Sequence, residues 1–517
     1  MREIELKLSL DPAQVRRLRS SPTLRQMATG PTRSQVLHSY YFDTPDNALH
    51  RAGIALRLRK AGRRWIQTIK KSTGEIGSGL STPLEFEFEV TGRKLALGRI
   101  GDHDLREEVI GLSRAGLDVV AETRFRRAAR DLHPAKGVEI ELAIDTGELI
   151  GGGRTLDFVE AEFELKFGAP SDLYETAAQL IRTGPVRYAA AAKSQRARAL
   201  IDQDVLPGEP LRKARPVKLT RDMTVEAAAI AIFREGIGHA LPNLARMIDH
   251  DDISGPHQLR VGLRRLRSAF SAFRNALGRE QLQPWAYQAR DIAAVAGEVR
   301  DLDVMAYEIV APMAQRYPDE PGFAALKSAL ITRRQEVSKN AAPLLTGPDV
   351  TAFAFGLPGM VEARAWLDPS DHGQTARLAQ TVVPYARKAI AKRWKAIVRY
   401  GDRIEELTID ERHEMRKEVK KLRYVADAFH SLFDADTFAG FNRRVKRLQS
   451  AFGALNDSAV AELMLSAPDA PGAGDPAMAR AAGRIIGHFL AEADRQWPEA
   501  IKNWADLRVG PLPWRKP

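Results

Sequence analysis

The chain has 517 residues, 44% of them hydrophobic, which is enough to bury the cores of roughly two to four domains. Lys and Arg outnumber Asp and Glu by 78 to 66, giving a net charge of +12 and a pI near 9.7, so a polyanionic partner is expected. The lack of cysteine excludes disulfides, thiolate metal sites and cysteine nucleophiles. No apolar run approaches the roughly 18 residues of a membrane span, and no signal-peptide core precedes the first predicted strand, so a cytoplasmic protein without membrane partners is expected.

Up to about residue 200 the apolar residues alternate in short runs broken by Gly, Pro, Asp and Thr, the period of β-strands. In Glu3-Ile4-Glu5-Leu6-Lys7 the charges fall on one face and the aliphatics on the other. The same one-sided design recurs in Ala55 to Arg59, Glu85 to Val90, Arg124 to Arg126, Val138 to Leu142 with Asp145 beyond, and Val159 to Leu165. A sheet face that met only water would need no such density of mixed charge. Curled into a closed barrel, these strands would turn their charges toward a central tunnel. Ile4, Leu6, Leu56, Leu58, Phe86, Phe88, Ile140 and Phe163 would then pack outward against helices. Buried charges of both signs need partners, and a polyanion bridged to carboxylates by divalent metal satisfies both kinds.

The ordered set Glu3-x-Glu5-x-Lys7, Tyr41 to Thr44, Arg57-x-Arg59, Lys70, Glu85-x-Glu87, Arg124-x-Arg126, Asp145, Glu160/Glu162/Glu164 and Lys193 resembles the CYTH family of triphosphate tunnel metalloenzymes over roughly residues 1 to 200. The resemblance implies an α+β domain with an eight-stranded antiparallel tunnel that cleaves triphosphates with Mg2+ or Mn2+. Lys7, Arg57, Arg59, Lys70, Arg124, Arg126 and Lys193 would hold the triphosphate, with Glu87 in the same group. Glu3, Glu5, Asp145, Glu162 and Glu164 would serve the metal, and Glu3, Glu5, Lys7 and Lys70 would carry the catalysis. Three glutamates stand in register at 160, 162 and 164, so the family pair is either neighbouring couple, and Arg127 beside Arg126 allows a similar shift.

Asp204 to Lys218 is rich in Pro and basic residues and suits a linker, placing one domain at 1–204, the linker at 205–220 and a second domain at 221–510. From about residue 221 the period becomes helical, as in Val225 to Arg246 and His257 to Leu277. Stretches Gly347 to Pro384 and Ala467 to Pro476 read as loops. The pattern His257-x-x-Arg260-x-x-x-Arg264-Arg265-x-Arg267 returns as His413-x-x-Arg416-x-x-x-Lys420-Lys421-x-Arg423, displaced by 156 residues. The same offset carries Arg290 onto Lys446 and Asp301 onto Asp457, so the second half is a duplicated all-α bundle. The spacing sets His257, Arg260, Arg264 and Arg267 on one helical stripe, and His413, Arg416, Lys420 and Arg423 on another. No acid lies between His257 and Phe273 to offset the repulsion, which points to a bound anion.

This half is similar to CHAD domains, duplicated helical bundles named for a histidine. The resemblance implies polyphosphate binding by the two stripes together with Arg290 and Lys446. Polyphosphate granules are then an expected place of association in the cell. The joined expectation is metal-dependent hydrolysis of inorganic triphosphate beside a polyphosphate-binding module. Its rivals are a non-catalytic polyphosphate binder and an enzyme acting on an organic triphosphate, of adenylate cyclase or thiamine triphosphatase type. Few aromatics interleave the basic stripes, which disfavours nucleic acid.

Overall fold

The structure, a computed structural model, describes residues 4–71, 79–82, 84–189, 191–201 and 211–515, with the side chains of 454–458 excepted. It divides into two compact units: Met1–Pro210 with Thr346–Ala365, and Leu211–Leu345 with Trp366–Pro517. Part of the expected linker, residues 205–210, lies outside the described residues.

The first unit is built on one antiparallel sheet of β1 (Glu5–Ser9), β2 (Ala28–Asp43), β3 (Ile54–Ala61), β4 (Arg64–Lys71), β5 (Leu80–Ser81), β6 (Leu84–Val90), β7 (Asp118–Leu132), β8 (Glu139–Gly151), β9 (Arg154–Phe167) and β10 (Arg187–Tyr188). Eight are longer strands, and β5 and β10 are two-residue pieces. The order is β10-β1-β9-β8-β7-β2-β3-β4-β6, and β5, two residues before β6, pairs with β1. That pairing returns the far edge of the sheet to its beginning and curls it shut.

Alternation sorts the two faces. Outward, Leu56 and Ile69 pack with Leu105 and Val109 of the helix His103–Leu112, while Phe86 and Phe88 lean on the same cluster. Inward lie the charged residues, with one apolar end: Leu37, Tyr41, Phe125, Leu149 and Phe158 enclose Ala197 and Leu200 at the helix Lys193–Ala199. Gly151 makes that plug possible, because a Cβ there would fall 2.0 Å from the Ala197 carbonyl oxygen.

The stretch expected as a loop from Gly347 is corrected in the structure to helices, the first being Pro348–Glu362. Pro348 sits at its first turn, where the missing N–H costs nothing, and Thr351, Phe353, Ala354, Phe355 and Leu357 to Val361 are buried. A helix apolar on most faces must be covered on most faces. Its covering lies in the first unit, against the helix Pro170–Leu180.

The second unit is helical. Phe233, Phe270, Phe273 and Trp366 make an edge-on aromatic core. The helices Val225–Asp249 and Ser254–Leu277 approach closely at Gly262, where a Cβ would stand 3.0 Å from Ala240 Cα. Along the helix Ser254–Leu277, Leu259, Leu263, Leu266 and Phe270 are buried and Val261 is half-buried. No single helix among the described residues is long and apolar enough to cross a membrane.

Candidate functional site

Strand register builds the tunnel wall in rows. Across β8, β9 and β1 the rows are Glu141–Glu164–Glu5, Ala143–Glu162–Lys7 and Asp145–Glu160–Ser9. Across β2, β3, β4 and β6 they include Tyr41–Arg57–Thr68–Glu87 and Ser39–Arg59–Ile66–Glu89, with Lys70 opposite Glu85. Glu3 lies outside the described residues. Of the remaining tunnel residues singled out in the sequence, Glu5, Lys7, Arg57, Arg59, Lys70, Glu87, Asp145, Glu162 and Glu164 share this inward pleat. Lys193 reaches them from the plug helix.

Two do not. Arg124 and Arg126 occupy the opposite pleat of β7, where Arg124 is 57% exposed and bonds His38 and Glu122 at 3.2 Å each. The inward cation at this station is Arg127, whose guanidinium donates to both Asp145 oxygens at 2.8 and 2.7 Å and also pairs with Glu162. In Arg124-Phe125-Arg126-Arg127 the arginines occur in both phases of a period-two pattern, and a shift of one residue turns every side chain over. Tyr41, Glu85 and Arg196 also face the cavity. Arg196 had a legible cue, since it stands three residues after Lys193 on one helical face. We expect Arg127→Ala to destabilise the protein by about 3–5 kcal/mol, because buried Asp145 loses its two-pronged partner, and Arg124→Ala to stay within about 0.5 kcal/mol, measured by urea unfolding.

Lys193 sits at the centre of the acidic wall, 3.0 Å from Asp145, 2.6 Å from Glu162 and in contact with Glu160, which Arg196 also holds. Asp145 is 0% exposed and Glu160 1%, so these pairs are shielded from water. Burial opposes ionisation of Glu162, but Lys193, Arg127 and Lys7 outweigh it and hold its carboxyl well below the usual range. Lys7 stands 2.6 Å from Glu5 and 3.9 Å from Glu162. On the other wall Lys70 meets Glu85, and Arg57 stands 3.8 Å from Glu85 and 3.6 Å from Glu87. Arg59 has no carboxylate within ion-pair distance among the described residues. It donates to Ser39 at 3.2 Å, and burial beside Arg57 pulls its guanidinium down to about 10. Burial also disfavours the charged form of Tyr41, yet Arg57, Arg59 and Lys193 prevail and lower its phenol.

In the helical unit the two repeats bring their stripes together. Lys420 is pulled down to about 7 by burial and by Arg416, Arg264, Arg423 and Arg260, two of which belong to the first repeat. Arg264 and Arg423 both lie over the Tyr424 ring. Arg267 is lowered by burial and by the neighbouring charges of Arg290 and Arg264. Burial and adjacent cations lower His257 and His413 as well. Arg260 is tied to Asp301 at 2.5 Å, Arg290 to Asp291 at 3.0 Å and Arg423 to Gln449 at 2.6 Å. Lys446 is exposed, and its charge acts on Asp427. No carboxylate stands within ion-pair distance of Arg264, Arg267 or Lys420 among the described residues.

Comparison with known proteins matches residues 1–197 to the CYTH domain and residues 231–466 to the CHAD domain. The chain is a CYTH domain joined to a CHAD domain. An inorganic triphosphatase of Haemophilus influenzae is 26% identical over 198 residues, 38% of this chain and 54% of that protein, so the chain spans about half the length of this curated relative. Among solved structures, the CHAD domain of Ricinus communis aligns with 58% of this chain and 98% of its own at 23% identity and a TM-score of 0.48. A Hippeastrum protein named as an adenylyl cyclase, and described as having a dominant triphosphatase activity, aligns with 40% of this chain and 98% of its own at 20% identity and a TM-score of 0.28.

The CYTH donor set suits a hard divalent cation, being made of carboxylate oxygens alone. Glu5 and Glu164 stand directly opposite on β1 and β9, and Glu141 completes their row. Like charges so placed repel unless a cation lies between them. Here amino and guanidinium groups fill that part, with Lys7 on Glu5, Lys166 on Glu164 at 2.5 Å and Arg33 on Glu141 at 2.7 Å. Asp145 and Glu160 are each engaged by two cations and Glu162 by three. Among the described residues no three such groups stand close enough together to hold a metal ion. Glu5 and Glu164, each paired with one cation, are the carboxylates best placed to exchange it for a metal.

Proposed function

We propose that the CYTH unit hydrolyses inorganic triphosphate with Mg2+ or Mn2+ and that the CHAD unit holds polyphosphate. The observation that supports the first half is the convergence of Arg57, Arg59 and Lys193 on buried Tyr41, with no carboxylate within ion-pair distance of Arg59 among the described residues and the charge of Arg127 acting on it. Such a cluster of cations suits a multiply charged anion. Arg57 and Arg59 can fork onto phosphate oxygens, while Lys7, Lys70 and Lys193 act as point charges along the chain. Removing one such donor from the charge developing on the transferred group typically costs about 100- to 1000-fold in rate. Glu5 and Glu164 would hold the metal, which when bound supplies further charge neutralisation and a more acidic water.

The second half rests on Arg264, Arg267 and Lys420, cations from both repeats gathered with no carboxylate within ion-pair distance among the described residues. Tethering such a surface to the tunnel raises the local concentration of phosphate polymer. The test uses the full chain, with phosphate release measured from inorganic triphosphate, ATP and thiamine triphosphate. Release is expected to be fastest from inorganic triphosphate with Mg2+ or Mn2+ and to cease when EDTA removes the metal. Equal inertness toward all three substrates defeats the enzymatic reading, and faster release from an organic triphosphate reassigns the substrate.

A further inference from the structure

Between the helices Pro170–Leu180 and Lys193–Ala199 runs a segment that carries a two-residue strand. Its strand, β10, pairs Arg187 with Ser9 and Tyr188 with Leu8, and the next N–H, of Ala189, donates to the Lys7 carbonyl at 2.9 Å. On its other side lies the helix Pro348–Glu362. The Tyr188 hydroxyl donates to the Ala354 carbonyl at 2.7 Å, and its ring meets Phe355 edge-on with centroids 6.2 Å apart. The Gly184 N–H donates to the Thr346 carbonyl at 2.8 Å, and the Gly184 carbonyl accepts from the Thr351 hydroxyl at 3.1 Å. Tyr188 is 5% exposed and Phe355 0%, so water cannot replace these contacts.

We propose that the helix Pro348–Glu362, acting through Tyr188, positions Lys7 and Lys193 for the tunnel chemistry. Tyr188 is on the outward pleat with Leu8 and reaches no tunnel residue, so its part is indirect. Its strand fixes the backbone at Lys7, and Lys193 follows it by only five residues, a span of at most about 18 Å of extended chain. Both amines converge on Glu162, at 3.9 and 2.6 Å, so a displaced β10 would disturb the two together. A helix taken from the second half of the sequence thereby becomes part of the tunnel's support.

The proposal rests on the triphosphatase reading, and its test separates the two. In the full chain, Tyr188→Phe removes one hydroxyl and Phe355→Leu reshapes the contact while remaining apolar. Each is expected to lower kcat for inorganic triphosphate about 5- to 10-fold with KM within about twofold, since the two lysines act on the charge that develops in the transition state. The double variant is expected to be no worse than the stronger single one, because both changes break one contact. In parallel, amide hydrogen exchange of peptides covering 5–9 and 186–200 should quicken in both variants while β3 and β4 stay unchanged. Unchanged kcat in both variants, effects that multiply, or exchange that rises equally throughout the sheet would overturn the proposal. A parent protein inert toward triphosphate would sink the functional reading instead, and the exchange pattern alone would then decide whether the helix braces β10.

Discussion

Lys193→Met is expected to lower triphosphate turnover by about 100- to 1000-fold and to destabilise the protein by about 3–5 kcal/mol. The reason is local: Asp145, Glu160 and Glu162 would lose the amine they share, in a place where the first two are closed to water. Arg127 and Arg196 would remain, but each is already engaged. The pH dependence has a definite sign. Glu162 is held below its ordinary value in the parent, so its contribution to stability is present above about pH 4.5 and is lost as pH falls through the depressed value. Without Lys193 that depression shrinks. The stability gap between parent and variant should therefore be widest near neutral pH and narrow below about pH 4.5. Urea unfolding of both proteins from pH 3 to 8 measures it, and a gap independent of pH would mean that Lys193 contributes packing rather than charge.

Binding of long-chain polyphosphate is expected to weaken as pH rises above 7, by about fivefold between pH 7 and 8. Burial and four arginines bring the Lys420 amine down to about 7, so above that pH it is mostly neutral in the free protein. A polyanion favours the charged form, and binding must then draw a proton from solution. Lys420→Ala should weaken binding at pH 6 but leave it nearly unchanged at pH 9. Lys420→Arg should flatten the profile above pH 7, because guanidinium keeps its charge. Calorimetry in two buffers of different ionisation enthalpy would count the proton directly. Competition by DNA with equal affinity at matched salt would reassign the surface to nucleic acid.

Much of this was legible in the sequence, for physical reasons that differ from place to place. The alternation of Glu5-Leu6-Lys7 and Arg57-Leu58-Arg59 states which side of each strand is charged, because a strand has only two sides. The repeat at 257 and 413 states that the helical half is doubled, because spacing along a helix fixes direction around it. Register was not legible at β7, where arginines in both phases leave the inward one to be chosen by Asp145 on β8. Nor was the fate of Gly347 to Glu362. Its prolines resemble loop punctuation, and only tertiary burial of Phe353, Phe355 and Leu357 makes a helix of them. The spacing of Lys193 and Arg196 was visible, but their meeting with Glu160 depended on a helix entering the barrel.

The cluster of Phe125, Leu149, Phe158, Ala197 and Leu200 makes one end of the charged interior apolar. An anionic filament gains nothing by advancing into it. On the proposed reading its tip, rather than its middle, would meet Arg57 and Arg59, and degradation would shorten it from the end.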